Sequence, residues 1–438
     1  MSAQTASPNT NAYEKQVAAK RVLTAGAVGQ FVEFYDFAIY GFTVVTIAKL
    51  FFPNTDPVVG ILEAFAIYGL AFVARPLGGV CFGMLGDRLG RKAVLYITLL
   101  GIGGATAVIG LLPTYHQIGV LAPILLLVCR LIQGFSAGGE AVAAPAFVYE
   151  HAPPHKRGFW VCITIACSAV PSIIAGILIL GLSHSMSLES YESWGWRIPF
   201  MIALLLSVVG VYIRRQTEES EAFLRASEEA ERTGGPKISH SFQNGNLKRM
   251  IQVFLIVSVN ALTFYFMVGY FVTYMQTVVK LTQQQALISN AIGLLTFSIA
   301  LPIGGMISDK IGRKPMLLAG SLVIAVLAIP LFWLLNLGFG GAILAQVILA
   351  TCLGIYGGGS YTFFVELFPT KVRLTGAAIA YNISYAVFGG AGPFVGTYLV
   401  HLTGNPASPG IYLAGVAAIA FLFAFTVPET RNLKEVVH

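Results

Sequence analysis

The chain has 438 residues, of which 56% are hydrophobic and only 11% are charged, and its formal net charge is +7. A typical soluble domain is about 25% charged, and a soluble chain this apolar would expose too much hydrophobic surface to water. The composition therefore predicts a polytopic membrane protein in contact with the lipid bilayer. The basic residues do not form a stripe interleaved with exposed aromatics, so no nucleic acid is expected as a partner.

Helices that cross a bilayer core of about 30 Å need about 20 apolar residues each. Twelve runs satisfy this rule, and they cover residues 23–49, 60–85, 93–112, 119–147, 158–182, 195–213, 250–277, 285–307, 315–336, 341–365, 374–400 and 409–427. A polar stretch at 214–249 separates six runs from six. The sequence thus predicts an all-α protein with twelve transmembrane helices: an N-terminal bundle (1–213), a cytoplasmic central loop (214–249) and a C-terminal bundle (250–438).

The basic residues indicate the orientation. All Lys and Arg residues fall in the termini or in the loops on the same side as the termini, except Lys49, Arg75, Arg130, Arg197 and Lys280. Because cytoplasmic loops carry an excess of Lys and Arg, both termini are expected in the cytoplasm. The predicted location is the cell (inner) membrane, crossed many times.

The five cysteines occupy apolar runs, and none has C-x-x-C spacing; they are Cys81, Cys129, Cys162, Cys167 and Cys352. Such residues behave as small buried hydrophobes. No metal site, cofactor or disulfide is expected. A nucleophile–base pair and a phosphate-binding loop are also absent from the sequence pattern, so the chain is not expected to be an enzyme.

The two halves share a loop motif. Residues 83–92 (G-M-L-G-D-R-L-G-R-K) correspond to residues 305–314 (G-M-I-S-D-K-I-G-R-K), and Glu150 and Glu366 each precede an arginine by seven residues. Repetition in register with the apolar runs predicts two pseudo-symmetric six-helix bundles, the plan of alternating-access transporters. The motif resembles the loop signature of the major facilitator superfamily. Asp and Arg can form charge-assisted bonds that join helix ends, so we expect a gating latch formed by Asp87, Arg88, Arg91, Glu140, Asp309 and Arg313.

Apart from residues near the span ends, such as Lys49, Glu63 and Arg197, five charged residues lie within predicted spans, all in the first half: Glu33, Asp36, Arg75, Arg130 and Glu140. Each costs about 2.5–3.5 kcal/mol on insertion scales, so their presence indicates pairing or function. Asp36 lies about 18 Å into the first span and Arg130 about 16 Å into the fourth from the opposite surface. Both should be near the midplane, and Arg130 is the predicted partner of Asp36.

Glu33, Asp36 and Tyr40 share one helix face because they recur at i, i+3 and i+7. Two carboxylates so close in a low dielectric resist joint ionisation, so one of them would hold a proton. We therefore assign proton coupling to Asp36, Glu33 and Arg130. The alternative is a pair of fixed salt bridges that only join helices.

Four segments narrow the resemblance to the metabolite:H+ symporter family: G-Q-F-V-E-F-Y-D-F-A-I-Y-G-F (29–42), A-R-P-L-G-G (74–79), R-L-I-Q-G-F-S-A-G-G-E (130–140) and W-G-W-R-I-P-F (194–200). Members of that family take up proline and betaine, 2-oxoglutarate, citrate, shikimate or aromatic acids. The resemblance implies proton and substrate roles for Glu33, Asp36, Arg75 and Arg130.

Aromatic residues dominate the second half. Tyrosine hydroxyls in spans that surround a central cavity could bind a polar solute, although aromatic runs also serve helix packing. The candidate substrate-binding residues are Arg75, Arg130, Tyr40, Tyr265, Tyr270 and Tyr361.

The predicted function is proton-coupled import of a small mono- to tricarboxylate by alternating access, because two arginines line the charged wall. Two alternatives remain open: proton symport of a zwitterionic osmolyte such as proline or betaine, and a proton-independent facilitator. The expected partners are protons and a small-molecule substrate, and the expected assembly is a monomer.

Overall fold

A computed structural model describes residues 31–54, 56–89, 91–138, 148–149, 152–215, 246–368 and 373–431. All regular elements within these ranges are helices. Twelve helical segments follow in chain order. They are α1 (Phe31–Phe42 and Val44–Phe51), α2 (Pro57–Leu89), α3 (Arg91–Leu111), α4 (Leu121–Ala137), α5 (Pro154–Ser185), α6 (Leu188–Gly195 and Arg197–Arg215), α7 (Asn246–Thr277), α8 (Gln283–Ile311), α9 (Arg313–Leu335), α10 (Phe339–Glu366), α11 (Gly376–Thr403) and α12 (Ser408–Ala424).

Each predicted span overlaps one of these segments. Seven are long and apolar enough to cross a membrane as single helices; α1 and α6 are bent pairs, and α3, α4 and α12 contain shorter apolar helices. Large hydrophobic side chains on the outside of the molecule, such as Leu77, Leu205 and Val326, are more than half exposed. A lipid bilayer is the environment that stabilises such a surface.

α1 is bent within the predicted first span. The two parts of α1 meet at 64° around Thr43, whose hydroxyl donates a hydrogen bond to the carbonyl of Ile39 at 2.6 Å. The same bond at Thr351 leaves α10 unbroken, so the bond accompanies the bend but does not by itself produce it. The sequence predicts a single span over 23–49, and hydropathy does not indicate the bend.

Helix pairs that join the first six segments to the last six include α1 with α7, α2 with α11, and α5 with both α8 and α10. At Gly41 of α1 an added Cβ would lie 2.6 Å from the Cα of Gly269, and at Gly158, near the start of α5, it would lie 2.8 Å from the carbonyl of Gly305. Beyond the other end of α5, Gln283 Nε2 of α8 lies 3.4 Å from the Tyr191 hydroxyl. The two halves therefore touch at both ends of α5.

Candidate functional site

The buried centre of the first half holds the ion pair that the sequence predicts. Arg130 Nη1 of α4 lies 3.1 Å from Asp36 Oδ2 of α1, and the two side chains are 0% and 1% exposed. An unpaired charge at this depth would be strongly destabilising, so each residue requires the other. The predicted pairing of Asp36 with Arg130 is confirmed.

Two further residues complete this pair, and the sequence did not single them out. Asp36 Oδ1 accepts hydrogen bonds from Thr106 Oγ1 of α3 at 2.9 Å and from Gln133 Nε2 of α4 at 2.6 Å. Gln133 also accepts from Arg130 Nη1 at 3.0 Å. The i, i+3 spacing of Arg130 and Gln133 could have indicated that Gln133 shares the face of Arg130. Thr106 carries no such signal, because nothing in its apolar span distinguishes it from Thr98.

Only one of the three nitrogens of the Arg130 guanidinium has hydrogen-bond partners among the described residues. Nη1 makes both of its hydrogen bonds, whereas the buried Nε and Nη2 have no partner among the described residues. The guanidinium carbon lies 4.4 Å from the ring centroid of Tyr40 and 5.3 Å from that of Tyr68. Buried donors are almost always satisfied, so the unpartnered edge of Arg130 is a candidate binding surface for a carboxylate.

A second buried ion pair joins α1 to α2. Arg75 Nη2 contacts Glu33 Oε1, and both side chains are almost fully buried. The Arg75 guanidinium lies 5.4 Å from the ring centroid of Phe72, and its Nε has no partner among the described residues.

The two acids of α1 belong to separate ion pairs. Glu33 and Asp36 share a helix, as predicted, and each has an arginine of its own, Arg75 and Arg130. Opposite charge stabilises both ionised forms, so repulsion between the two acids does not by itself require that one be protonated. The prediction that one of them holds a proton stays a prediction.

The candidate tyrosines differ in how their hydroxyls are used. Tyr40 donates to the carbonyl of Ala64 at 3.0 Å, so its hydroxyl serves packing of α1 on α2, and its ring covers Arg130. The Tyr361 hydroxyl lies 3.4 Å from that of Tyr385. The hydroxyls of Tyr265 and Tyr270 are buried without a hydrogen-bond partner among the described residues.

Tyr265 connects the two halves. Its ring makes edge contacts with Phe37 of α1 at 5.9 Å, with Phe72 of α2 at 4.9 Å and with Tyr385 of the α11 region at 5.8 Å, measured between ring centroids. Its hydroxyl faces the Arg75 guanidinium. Tyr265 therefore lies where the aromatic second half meets the charged first half.

The predicted latch residues Asp309 and Arg313 lie at the end of the molecule where α5 begins. Asp309 accepts hydrogen bonds from the backbone N–H groups of Gly158 and Phe159, at 2.8 and 2.9 Å. These amides open a helix of α5, and an anion is favoured at a helix N-terminus. The contact thus joins α8 of the second half to α5 of the first.

Two acids secure Arg313, and neither was assigned to the latch from sequence. Glu366 accepts from Arg313 Nε at 3.2 Å and from Nη2 at 3.1 Å. Glu429 accepts from the backbone N–H groups of Arg313 and Lys314, at 2.8 and 3.0 Å. The echo of Glu150 and Glu366 was the available signal for Glu366. The side chains of Asp87, Arg88, Arg91 and Glu140 lie outside the described part of the chain.

Comparison with known proteins defines the class. The Major Facilitator Superfamily profile matches residues 26–390, and the chain belongs to that superfamily of membrane transporters. Within it, the chain belongs to the metabolite:H+ symporter family. It is a multi-pass membrane transporter and not an enzyme.

Three relatives illustrate this membership. The proline/betaine transporter of Escherichia coli strain K12 is 36% identical over 94% of this chain and 84% of that protein. The glycine betaine/proline/ectoine/pipecolic acid transporter of Dickeya dadantii is 34% identical over 94% of this chain and 84% of that protein. The citrate-proton symporter of Salmonella typhi is 34% identical over 93% of this chain and 95% of that protein.

Solved structures support the fold. A D-xylose-proton symporter superposes with a TM-score of 0.76 at 19% identity, over 96% of this chain and 100% of that one. The Escherichia coli xylose transporter in a partially occluded inward-open conformation also gives 0.76 at 19% identity, over 95% and 100%. The predicted twelve-helix major facilitator fold is confirmed.

Proposed function

We propose that this chain is a proton-coupled symporter that imports a small zwitterion, of the chemical class of proline and betaine. The observation that carries the proposal is the buried Asp36–Arg130 pair, in which one edge of the guanidinium is neutralised and the other has no partner. The proline/betaine transporters among the relatives favour a zwitterion over the carboxylate that the sequence ranks first.

The substrate carboxylate binds Arg130. A guanidinium presents two parallel N–H groups from Nε and Nη2, and this fork matches the two oxygens of a carboxylate. Nη1 remains with Asp36 and Gln133, so the substrate does not need to displace the existing ion pair.

Charge balance couples the proton to the substrate. With Asp36 ionised, the pair is neutral, and a substrate carboxylate would add an uncompensated negative charge to a buried site. With Asp36 protonated, the positive charge of Arg130 is free to neutralise the substrate. Proton and carboxylate therefore each raise the affinity for the other, and this coupling is reciprocal.

The cationic part of the zwitterion contacts the aromatic junction around Tyr265. Aromatic faces attract ammonium groups, and the rings of Phe72 and Tyr385 pack against Tyr265. The Glu33–Arg75 pair nearby is neutral, so the aromatic rings supply the contact with the ammonium group.

A small organic acid is the second candidate. Arg75 Nε is a second buried guanidinium donor without a partner among the described residues, and a substrate with two carboxylates could use both arginines. The citrate-proton symporter among the relatives supports this alternative.

Both termini are proposed to lie in the cytoplasm, with each protomer acting as a monomer of two six-helix bundles. The distribution of Lys and Arg supports this orientation. The contact of Asp309 with the start of α5 would then act at the cytoplasmic end and serve as the gating latch.

The test measures uptake by purified protein in proteoliposomes. Labelled proline, betaine and citrate are offered with and without an imposed inward pH gradient. We expect a zwitterion to accumulate only with the gradient. Gradient-independent uptake would favour the facilitator, and accumulation of citrate alone would favour the organic acid.

The matched variants are Asp36→Asn and Glu189→Gln, the second of which removes an exposed carboxylate. Asp36→Asn should abolish gradient-driven accumulation and keep substrate exchange between the two sides, because the amide mimics the protonated acid. Glu189→Gln should behave as wild type. Normal accumulation by Asp36→Asn would contradict the assignment of the proton to Asp36.

A further inference from the structure

The donors around Asp36 differ in whether each has as many hydrogens as acceptors within reach. Gln133 Nε2 has two hydrogens and two acceptors, Asp36 Oδ1 at 2.6 Å and Thr106 Oγ1 at 2.8 Å. Arg130 Nη1 likewise has two hydrogens and two acceptors, Asp36 Oδ2 and Gln133 Oε1. Both residues are therefore fixed in a single donor arrangement.

Thr106 differs, because its hydroxyl has one hydrogen and two acceptors within reach. Oγ1 lies 2.9 Å from Asp36 Oδ1 and 2.7 Å from the carbonyl oxygen of Ile102, one turn earlier in α3. A hydroxyl can donate only one of these bonds at a time. The Thr106 side chain is 0% exposed, so the choice is made by the groups around it.

Each choice corresponds to one protonation state of Asp36. When Asp36 is ionised, the Thr106 hydroxyl donates to Oδ1. When Asp36 carries a proton on Oδ1, that proton donates to Thr106 Oγ1, and the Thr106 hydrogen turns to the Ile102 carbonyl. Oγ1 then accepts from Asp36 and Gln133 and donates once, which satisfies its full capacity.

We propose that Thr106 is a positioning residue for the transported proton: a hydroxyl rotor that satisfies both protonation states of Asp36 without movement of any heavy atom. The proposal rests on the proposed function, in which Asp36 carries the proton. It means that proton binding leaves the Arg130 contact to Oδ2 in place, so the guanidinium stays aligned for the substrate in both states.

Other titratable or charged groups also face Asp36 and influence how its protonation depends on pH. They are Arg130 and Cys129 of α4, Tyr35 and Tyr40 of α1, Tyr68 of α2, and the Glu33–Arg75 pair. Among them only Arg130 hydrogen bonds to Asp36, and a guanidinium does not release its proton. The hydroxyl of Thr106 is the neighbour able both to donate to Asp36 and to accept from it.

The test uses Thr106→Val, which keeps the shape and removes the hydroxyl, and Thr106→Ser, which restores the hydroxyl. In the valine variant the ionised acid loses one donor but keeps those of Gln133 and Arg130, whereas the protonated acid loses its acceptor, Thr106 Oγ1. Because the protonated acid is destabilised more, the pH at half-maximal uptake should move to acid by about one unit. A hydroxyl that only donates to the ionised acid would give a midpoint moved to alkaline, and that result overturns the rotor. The maximal rate at acid pH should stay within about threefold of wild type, and Thr106→Ser should restore the wild-type midpoint.

The matched control is Thr351→Val in α10, where the hydroxyl also bonds to a carbonyl one turn earlier, at 2.8 Å. Its pH midpoint should not move. If Thr106→Val does not yield folded protein, Thr106→Ala replaces it in the same assay. An unchanged midpoint in a folded Thr106 variant, or a lower rate at every pH with no shift, overturns the rotor.

Failure of the rotor is distinguishable from failure of the proposed function. If Asp36→Asn loses accumulation while Thr106→Val keeps the wild-type midpoint, only the rotor is wrong. If Asp36→Asn still accumulates substrate, the assignment of the proton to Asp36 is wrong. The proposed role of Thr106 depends on that assignment and is then wrong as well.

Discussion

Two buried arginines, Arg313 and Arg130, differ in how completely their guanidinium groups are hydrogen-bonded. Arg313 is 2% exposed, and its Nε, Nη1 and Nη2 all have partners, in Glu366, Ser308 and Asp309. Arg130 is 0% exposed, yet its Nε and Nη2 have none among the described residues. A buried guanidinium that is fully hydrogen-bonded is suited to hold helices together. One that keeps an edge unpartnered is suited to bind a ligand, because an unsatisfied donor costs free energy until something accepts from it.

The largest expected effect on substrate binding comes from Arg130→Lys. Lysine can still pair with Asp36 but cannot offer two parallel donors to a carboxylate. Loss of two charge-assisted bonds predicts a Kd for the zwitterion about 100-fold or more above wild type, with little loss of stability. Ligand-dependent thermal shift at fixed pH measures it, and the control is Arg197→Lys, on an arginine that hydrogen bonds to the backbone carbonyls of Gly110 and Leu112. Equal affinity in Arg130→Lys would remove Arg130 from the substrate site.

At Arg313 we expect an effect on stability and not on substrate binding. Glu366→Ala leaves that arginine without its bidentate partner in a buried position, and breaking a buried pair on one side costs about 3–5 kcal/mol. We expect a lower unfolding temperature in detergent with the substrate Kd within about twofold of wild type. If Glu366→Ala instead weakened binding and left the unfolding temperature unchanged, the contrast between the two arginines would be wrong.

A smaller effect is expected at the contact between the halves. In Gly158→Ala the new Cβ would lie 2.7 Å from Asp309 Oδ1 and 2.8 Å from the Gly305 carbonyl. Overpacking of this kind costs about 1–3 kcal/mol, and it should separate α5 from α8 at this end. The transport rate should fall while binding persists. Gly181→Ala is the control on the same helix, because nothing lies within 4 Å of its Cβ position.

The smallest effect is expected from Glu429→Gln. Glu429 receives the backbone N–H groups of Arg313 and Lys314 at the start of α9, and loss of its charge at a helix N-terminus costs about 0.3–1 kcal/mol. The unfolding temperature should fall slightly and more at low salt, and Glu189→Gln should leave it unchanged. A large loss of transport in Glu429→Gln would show that this cap does more than stabilise α9.

Much of the fold followed from the sequence. Apolar runs of the length of a bilayer core specify the twelve spans, since each helix must satisfy its own backbone in lipid. The pairing of Asp36 with Arg130 also followed, because two opposite charges at similar depth are costly unless they meet. The bend at Thr43 did not follow, since hydropathy reports how apolar a span is and not the local geometry of its backbone.

The sequence predicted the charged residues of the site but not its neutral polar residues Thr106 and Gln133. Charge inside a membrane is rare, so the sequence alone indicates a functional or paired role for Glu33, Asp36, Arg75 and Arg130. Thr106 and Gln133 are not indicated in this way, because neutral polar residues are common in membrane helices. The prediction that Glu33 or Asp36 holds a proton stays a prediction: spacing along α1 places the two acids together but does not show that Glu33 meets Arg75.

The sequence by itself determined the class of protein, the number of spans, the repeat of the halves and the charged residues at the centre, because these depend on composition, length and local spacing. Only the tertiary structure decided which donors are satisfied. The unpartnered edge of Arg130 and the two acceptors of Thr106 arise where α1, α3 and α4 meet. Hydrogen-bond satisfaction depends on distances between helices, and distances between helices are a property of the packed molecule.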